Sequence, residues 1–197
     1  MKLAPKVAVV GGGIGGLGAA LSLFRAGFDV HVYEQAHALR AVGAGIQVGP
    51  NASRVLHGLG LAEKLAKLGV RPGAHHQRRW DNGRTLLKAP LGDTVIKAFG
   101  FPHYQSHRAD LLSMLIDALP AERLYLGHRL VTVTDRGDRV EVMFENGERI
   151  TTDALYWCRR NTFVSARTVV RPGKPALYWL RGLSGTNTRG AHQTPQC

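Results

Sequence analysis

The sequence predicts an α/β fold with a parallel sheet, and three consecutive features near the N-terminus carry that prediction. A short apolar run at residues 7–10 leads directly into three closely spaced glycines, Gly11, Gly13 and Gly16. A segment compatible with a helix follows, and a second apolar run then ends on an acid, Glu34. Strand, tight turn, helix and strand in this order form a βαβ unit, whose two strands lie parallel in one sheet.

Each part of this unit has a separate physical role. Gly11 lets the chain turn sharply off the strand, Gly13 lets backbone N–H groups approach a phosphate, and Gly16 lets the helix pack closely on the sheet. The helix N-terminus stabilises the phosphate charge. Glu34 lies 23 residues after Gly11, where a carboxylate can accept hydrogen bonds from a ribose diol. The pattern predicts an adenine dinucleotide site; the alternative is a glycine-rich turn with no ligand.

The acid disfavours NADP, because a 2′-phosphate would lie against the carboxylate, but it does not separate NAD from FAD. Three later landmarks bear on that choice. Arg40 is followed by a Gly-Ala-Gly-Ile loop and by Pro50, which opens a helix. Residues 107–112 (His-Arg-Ala-Asp-Leu-Leu) open a second helix that is expected to continue to about Leu119, and residues 130–133 are predicted to form a strand.

In these landmarks the chain resembles the class A FAD-dependent aromatic-ring monooxygenases, which include salicylate, hydroxybenzoate and hydroxynicotinate hydroxylases. The resemblance spans residues 7 to about 153. It implies a Rossmann-like FAD-binding βαβ domain with a parallel sheet plus β-hairpins, incomplete relative to the family. It also implies that Arg108 reaches toward the phosphates and ribityl chain of FAD. The backbone of residues 130–133 would contact the adenine, and the loop around Gln47 would contact the flavin.

The resemblance implies a function as well. Intact relatives bind FAD tightly, reduce it with NAD(P)H, and use O2 to hydroxylate a small aromatic acid. Relatives of the hydroxynicotinate type carry His at the position of Gln47; Gln cannot act as a general base, so a salicylate- or hydroxybenzoate-like substrate is favoured. No catalytic residue is assigned. The predicted cofactor-binding residues are Gly11, Gly13, Ile14, Gly15, Gly16, Glu34, Gln35, Arg40, Gln47, Arg108, Leu130 and Val131.

The charge of the chain changes abruptly near residue 153. The net charge is +12 over 197 residues, which alone would suggest a nucleic acid or an anionic membrane as partner. After Asp153 there is no Asp or Glu, while seven Lys and Arg residues follow, so the first 153 residues carry only about +5. The basic character therefore belongs to the C-terminal segment.

The same point coincides with a missing motif. After Leu155 the family continues with a hydrophobic residue and then Gly-Ala-Asp-Gly-Ile-His-Ser, whereas this chain has Tyr-Trp-Cys-Arg-Arg-Asn-Thr-Phe. Codons can be chosen for residues 156–163 so that a reading one nucleotide later gives Ile-Gly-Ala-Asp-Gly-Ile-His; Trp157 alone forces the first glycine. A second family-like stretch emerges at residues 178–185 in that frame. The hypothesis is an N-terminal domain part at 1–155 and an out-of-frame, basic, poorly ordered tail at 156–197.

The remaining segments favour further helices and hairpins. Helical spacing occurs at residues 54–56 and 59–68, and hairpins are predicted at 77–87 and 139–151. Residues 124–126 are predicted as a short strand. No apolar run reaches 18 residues, so a membrane span is not expected. The two cysteines, Cys158 and Cys197, support neither a disulfide framework nor a metal site. The cytoplasm is the expected location.

Three functional hypotheses follow in order of preference. The first is an FAD-dependent aromatic hydroxylase with a broken reading frame; the chain as written is then expected to bind flavin weakly or not at all, and to be inactive. The second is a free-standing module that binds FAD or NAD without turnover. The third is a basic nucleic-acid binder, which the scattered prolines and glycines of the tail disfavour. Partners beyond a small aromatic acid are not expected, and the oligomeric state is left open.

Overall fold

The computed structural model of the chain describes residues 4–39 and 44–158. Strands and helices alternate over the first half, and strands dominate after the fifth helix. In chain order the elements are β1 (Lys6–Val10), α1 (Ile14–Arg25), β2 (Asp29–Tyr33), β3 (Gly45–Val48), α2 (Pro50–Gly58), α3 (Ala62–Leu68), β4 (Ala74–Arg78), β5 (Thr85–Pro90), α4 (Gly92–Phe99), β6 (Tyr104–His107), α5 (Arg108–Ile116), β7 (Leu124–Tyr125), β8 (Leu130–Asp135), β9 (Val140–Phe144), β10 (Arg149–Thr152) and β11 (Ala154–Trp157).

The central layer is a four-stranded parallel sheet in the order β11-β1-β2-β7. Val7 of β1 is in register with Val30 of β2 on one side and with Ala154 of β11 on the other. Because β1 has a neighbour on both sides and is covered on both faces, it is a continuous apolar run. This sheet, together with antiparallel pairs elsewhere, confirms the predicted α/β class.

Helix α1 covers one face of the parallel sheet and is the centre of the larger core. Its residues Leu17, Ala20 and Leu21 are fully buried, at the spacing that places them on one helix face. Helix α5 packs beside α1 and contributes Met114 and Leu115 to the same cluster. The helix expected to reach about residue 119 ends at Ile116. In a continued helix Pro120 would have no N–H to donate to the Ile116 carbonyl, and its ring would clash with that carbonyl, so Pro120 limits how far the helix can run.

The opposite face of the sheet is covered by a small antiparallel sheet in the order β10-β9-β8. Val140, Val142 and Phe144 of β9 alternate inward and are buried against β1 and β2 residues, as the sequence pattern predicted. The hairpin predicted at residues 139–151 is therefore confirmed. The core of the molecule thus lies in two layers, one on each side of the parallel sheet.

Two further antiparallel pairs extend from this centre. Strands β4 and β5 form the hairpin predicted at residues 77–87, with Gly83 in the left-handed region at φ 70°. Strands β3 and β6 pair with Gln47 opposite Gln105. Helices α2 and α3 occupy the two segments of predicted helical spacing, whereas α4 and β6 were not anticipated.

The proposed boundary between residues 155 and 156 falls within β11. Tyr156 and Trp157 continue that strand opposite Val9 and Val10, and the Cys158 amide donates to the Val10 carbonyl at 2.9 Å. The rest of the predicted tail, residues 159–197, lies outside the described residues. Within the described part of the chain, no helix has the length and apolarity that crossing a bilayer requires.

The close approach of α1 to β1 makes Gly16 the most size-sensitive position of the turn. A Cβ atom at Gly16 would overlap the carbonyl oxygen of Gly11, whereas one at Gly18, two residues on in the same helix, would meet nothing within 4 Å. We expect Gly16→Ala to lower the free energy of unfolding by about 2 kcal/mol or more. Gly18→Ala is the matched control, and it should be neutral or stabilise by up to about 1 kcal/mol because alanine favours helix. Urea denaturation of both variants measures the contrast; equal stabilities would contradict it.

Candidate functional site

A cleft opens where the parallel strands end, at the N-terminus of α1. Its floor is the turn after β1, and its walls come from the residues after β2, the start of β8 and the end of β11. Ligands of parallel α/β sheets bind at this edge, where the carboxyl ends of the strands meet. The described residues that line the cleft are Val10, Gly11, Gly13, Tyr33, Glu34, Gln35, His128, Leu130 and Cys158.

A larger hollow lies at the other end of α1, bounded by Arg25, Gly60 and Lys64 among others. A helix C-terminus carries partial negative charge and presents carbonyl groups, so it does not suit a phosphate. The cleft at the α1 N-terminus is therefore the candidate site.

Glu34 is held at the mouth of the glycine turn by two backbone amides. The Gly12 N–H donates to its Oε2 at 2.6 Å, and the Ala36 N–H donates to its Oε1 at 2.9 Å. An ionised carboxylate oxygen can accept more than one hydrogen bond, so each oxygen retains capacity for a further donor. The carboxylate is thus fixed in orientation and still able to accept hydroxyl groups.

The tip of α1 has the features of an anion site. Its N-cap residue is Gly13, and no side chain of the described residues caps the helix. The first N–H groups of a helix have no intrahelical acceptor, so they are available to a ligand. A Cβ atom at Gly13 would meet nothing within 4 Å, and the protein itself therefore does not require glycine there. Open space beside unpaired amides is what a phosphate at this position needs.

Cys158 closes one side of the cleft. Its carbonyl oxygen lies so close to Gly11 that a side chain there would overlap it, and its Sγ is 2.8 Å from where a Gly15 Cβ would stand. Burial raises the pKa of the Cys158 thiol. Sequence reasoning assigned this cysteine to the tail and missed its place in the site. Only the parallel pairing of β11 with β1 brings it there.

The structure brings together part of the predicted set of cofactor residues. Gly11, Gly13, Glu34, Gln35 and Leu130 line the cleft. The others placed beside it, in the first turn of α1, are Ile14, Gly15 and Gly16.

Three predicted residues lie elsewhere in the described part of the chain. The Val131 side chain is 46% exposed and is not among the described residues of the cleft lining. Gln47 is an exposed residue of β3, and Arg108 begins α5, with its amide donating to the Ala44 carbonyl at 3.3 Å. Neither lines the cleft. Arg40 lies outside the described residues.

An aromatic cluster forms the wall next to Glu34, and sequence reasoning missed it. Tyr33 stacks on Tyr125 and on Phe144, with ring centroids 4.9 Å and 4.8 Å apart. His128 meets the same rings edge-on. Burial, with smaller contributions from Tyr125 and Glu148, raises the pKa of Tyr33 to about 12. The four rings come from β2, β7, the β7–β8 connection and β9, so no local pattern reveals them.

Comparisons with known proteins agree on one family. The family described as FAD binding domain matches residues 4–156. The 3-amino-4-hydroxybenzoate 2-monooxygenase of Streptomyces cremeus is 43% identical over 166 residues, and the 6-hydroxynicotinate 3-monooxygenase of Pseudomonas fluorescens is 40% identical over 147. A salicylate hydroxylase of Pseudomonas putida is 35% identical over 156 residues. These alignments cover 84%, 75% and 78% of this chain, and 42%, 38% and 36% of the relatives.

Solved structures give the same picture. Klebsiella pneumoniae HpxO, crystallised with FAD and uric acid, superposes with a TM-score of 0.71 at 28% identity over 77% of this chain and 38% of its own. The 2,6-dihydroxypyridine-3-hydroxylase of Arthrobacter nicotinovorans superposes with a TM-score of 0.63 at 25% identity, over 79% of this chain and 37% of its own. The chain therefore spans about two fifths of the length of the proteins it matches.

The raised pKa of Tyr33 gives a pH dependence to stability. The unfolded chain releases the phenol proton near pH 10, whereas the folded chain holds it to about pH 12. Tyr33 therefore stabilises the fold fully below pH 10, and this contribution, at most roughly 2 kcal/mol, is lost as pH rises toward 12.

We expect Tyr33→Phe to weaken the fall in unfolding free energy between pH 10 and 12, because Phe cannot ionise. Urea denaturation at stepped pH measures this, and the difference in tyrosinate absorbance between Tyr33→Phe and the unaltered chain in the same titration shows where Tyr33 ionises. Tyr104→Phe, at another buried tyrosine away from the cleft, controls for the loss of a buried hydroxyl. Identical slopes for the Tyr33 variant and the unaltered chain would contradict the assignment.

Proposed function

Since the chain belongs to the FAD binding domain family, we propose that it is the N-terminal, cofactor-binding part of an FAD-dependent monooxygenase. The whole enzyme would hydroxylate a small aromatic acid with NAD(P)H and O2, in the cytoplasm. Support comes from relatives that are aromatic-ring monooxygenases and from a structural neighbour crystallised with FAD. The chain spans about two fifths of these relatives, so we propose that it is catalytically incomplete as written.

The observation that carries the proposal is the 2.6 Å hydrogen bond from the Gly12 amide to Glu34. It places a carboxylate with spare acceptor capacity beside the unpaired amides of α1. A ribose diol and a pyrophosphate lie next to each other in the ADP part of FAD, and these two groups match them in the same order.

The residues present fit this half of the cofactor. Glu34 would accept the ribose hydroxyls, the amides at Gly13 and in the first turn of α1 would donate to the pyrophosphate, and Leu130 would lie against the adenine. The space left open at Gly13 is where the phosphate would enter. When bound, FAD supplies the redox and oxygen chemistry of the reaction. The role of this chain is to bind and orient the cofactor.

The substrate proposal is narrower than the family. The relatives named above act on hydroxybenzoates, salicylate or 6-hydroxynicotinate. The Gln at position 47 cannot take a proton from a substrate, and we therefore propose a salicylate- or hydroxybenzoate-like acid for the whole enzyme.

We also propose that residues from about 156 onward are translated out of frame. The match to the FAD binding domain family ends at residue 156, three residues after the last acid of the chain, although the alignment with the Streptomyces cremeus relative, which covers 84% of the chain, extends past this point. The missing Gly-Ala-Asp-Gly motif would begin at the same place. A chain whose frame breaks there loses the family's sequence for the remainder of its length.

Glu34 provides the test of cofactor binding. We expect the full chain to bind FAD and ADP saturably but weakly, and Glu34→Ala to weaken both about tenfold or more, because charge-assisted hydrogen bonds to the ribose are lost. Isothermal titration measures the affinities. Asp110→Asn, a carboxylate in the first turn of α5 that does not line the cleft, is the matched control and should bind as the unaltered chain does. Equal affinities of the unaltered chain and Glu34→Ala for both ligands would overturn the proposal.

The reading frame has a direct test in the coding DNA. We expect the nucleotides of codons 150 to 165 to encode Ile-Gly-Ala-Asp-Gly-Ile-His when read one nucleotide later. Restoring that frame by deleting one nucleotide should extend the family match and yield a yellow protein that oxidises NADH in the presence of aromatic acids. Codons incompatible with the shifted heptad would remove the hypothesis and leave the family assignment of residues 4–156 intact.

A further inference from the structure

The hairpin of β4 and β5 buries almost none of its side chains. In β4 every residue after Ala74 is exposed, and in β5 every residue except Ala89 is exposed. Successive residues of a strand point to opposite faces, so Leu87 and Lys88 lie on different faces of the hairpin. Both are exposed. The described residues of the chain therefore cover neither face of this hairpin.

Each strand of the hairpin also has an unpaired edge. Within the described part of the chain, β4 and β5 form a sheet of two strands and pair only with each other. Strand β5 ends on Pro90, which has no N–H to donate, whereas β4 contains no proline. An open strand edge is a template onto which another strand can add. A hairpin of two strands is marginally stable in water, so a third strand would stabilise this one.

Large apolar side chains are exposed on the hairpin and in the helix after it. Trp80, in the turn, is 97% exposed, and Leu86 and Leu87 of β5 are exposed as well. Phe99, at the end of α4, is exposed too. Single exposed apolar residues are ordinary, but several within one short segment indicate a surface that another part of a protein covers.

The charge of the hairpin limits what can cover it. Residues 74–90 contain four Lys and Arg against one Asp, a net charge of +3. That acid, Asp81, is already paired with Arg79. A second copy of the chain would bring the same positive charge, and residues 159–197 have seven Lys and Arg and no acid. Because like charges repel at short range, we infer that the covering surface carries acids.

The cations and the apolar residues of the two strands lie on different faces. Lys88 is in register with His76, and Arg78 lies 3.5 Å from Nδ1 of the same His76 ring, so these three residues share one face. Leu87 is in register with Gln77 and lies on the other face. A strand added to β4 would therefore have cations beside one of its faces and apolar groups beside the other.

We propose that β4 is a docking edge for the part of the intact enzyme that this chain lacks. The occupant is a strand of that part, with acidic residues on the Arg78 side and apolar residues on the Leu87 side. The Streptomyces cremeus relative is matched over 42% of its length, so more than half of it lies outside the match and can supply such a strand. This inference rests on the proposed function, which makes the chain a part of a longer enzyme.

Hydrogen exchange in the full chain by itself is the first test. The hairpin at residues 139–151 is the matched control, because it also turns at Asn-Gly but buries the inward residues of β9. We expect backbone amides of residues 74–90 to exchange at least about tenfold faster than those of the control hairpin. Equal protection of the two hairpins would mean that β4 and β5 are already covered in this chain, and would overturn the proposal.

A hybrid enzyme supplies the missing part. Residues 1–155 of this chain are joined to the remainder of the Streptomyces cremeus relative, and exchange at residues 74–90 should then slow at least about tenfold. Exchange at residues 139–151 should change little. In the hybrid, Arg78→Glu should restore fast exchange at residues 74–90, because it places a carboxylate against the acids of the added strand. Arg149→Glu, at an exposed arginine of β10, is the matched control and should not.

The outcomes separate this inference from the proposed function. Fast exchange at residues 74–90 in a folded hybrid that binds FAD would overturn the docking edge alone. A protected hairpin in a folded hybrid that binds no FAD would support the docking edge and overturn the proposed function. If circular dichroism shows that the hybrid is unfolded, the intact Streptomyces cremeus enzyme takes its place. Its segment aligned with residues 74–90 should be protected, and fast exchange there would overturn the inference.

Discussion

The hydrogen bond between the Gly12 amide and the Glu34 carboxylate is the constraint on which the rest of the site depends. It joins the turn after β1 to the residue after β2, so the two strand ends and the helix tip become one rigid unit. Its geometry requires α1 to leave the sheet immediately, and the contact of Gly16 with the Gly11 carbonyl makes that departure possible. The anion-binding amides and the ribose-binding carboxylate are therefore placed by the same local structure.

That unit also explains why the parallel sheet has a different cover on each face. Helix α1 is fixed on one face by the turn, and its apolar residues form the larger core with α5. The other face is left to β8, β9 and β10, whose alternating residues bury Tyr33 and Val10. Tyr33 belongs to this second core and to the cleft at once, so the wall of the site is as firmly packed as the core.

The sequence predicted those parts of the fold whose cause is local. The glycine spacing, the apolar runs and the acid at Glu34 each act within 30 residues, and the structure has the βαβ unit they predicted. The two hairpins with Asn-Gly turns were also predicted from local sequence, and the structure has both. The cluster around His128 was not, because four segments far apart in sequence supply its rings. Cys158 was missed for the same reason: its neighbours Gly11 and Gly15 are set by the pairing of β11 with β1.

The last two residues of β11 lie where the proposed change of reading frame begins. Tyr156 and Trp157 keep the parallel register with β1. Backbone hydrogen bonds alone can hold this register, so the strand could form with side chains from either reading frame. The side chains, in contrast, differ between the two frames in how well they fit the surrounding residues. The Trp157 Nε1 is buried without a hydrogen-bond partner among the described residues, and an unpaired buried donor costs about 1–3 kcal/mol. In the shifted frame this position is glycine, which has no such donor. His31 Nδ1 and His57 Nε2, well inside the family match, are buried without a partner among the described residues in the same way, so the proposed frame break rests on the coding sequence and not on this donor.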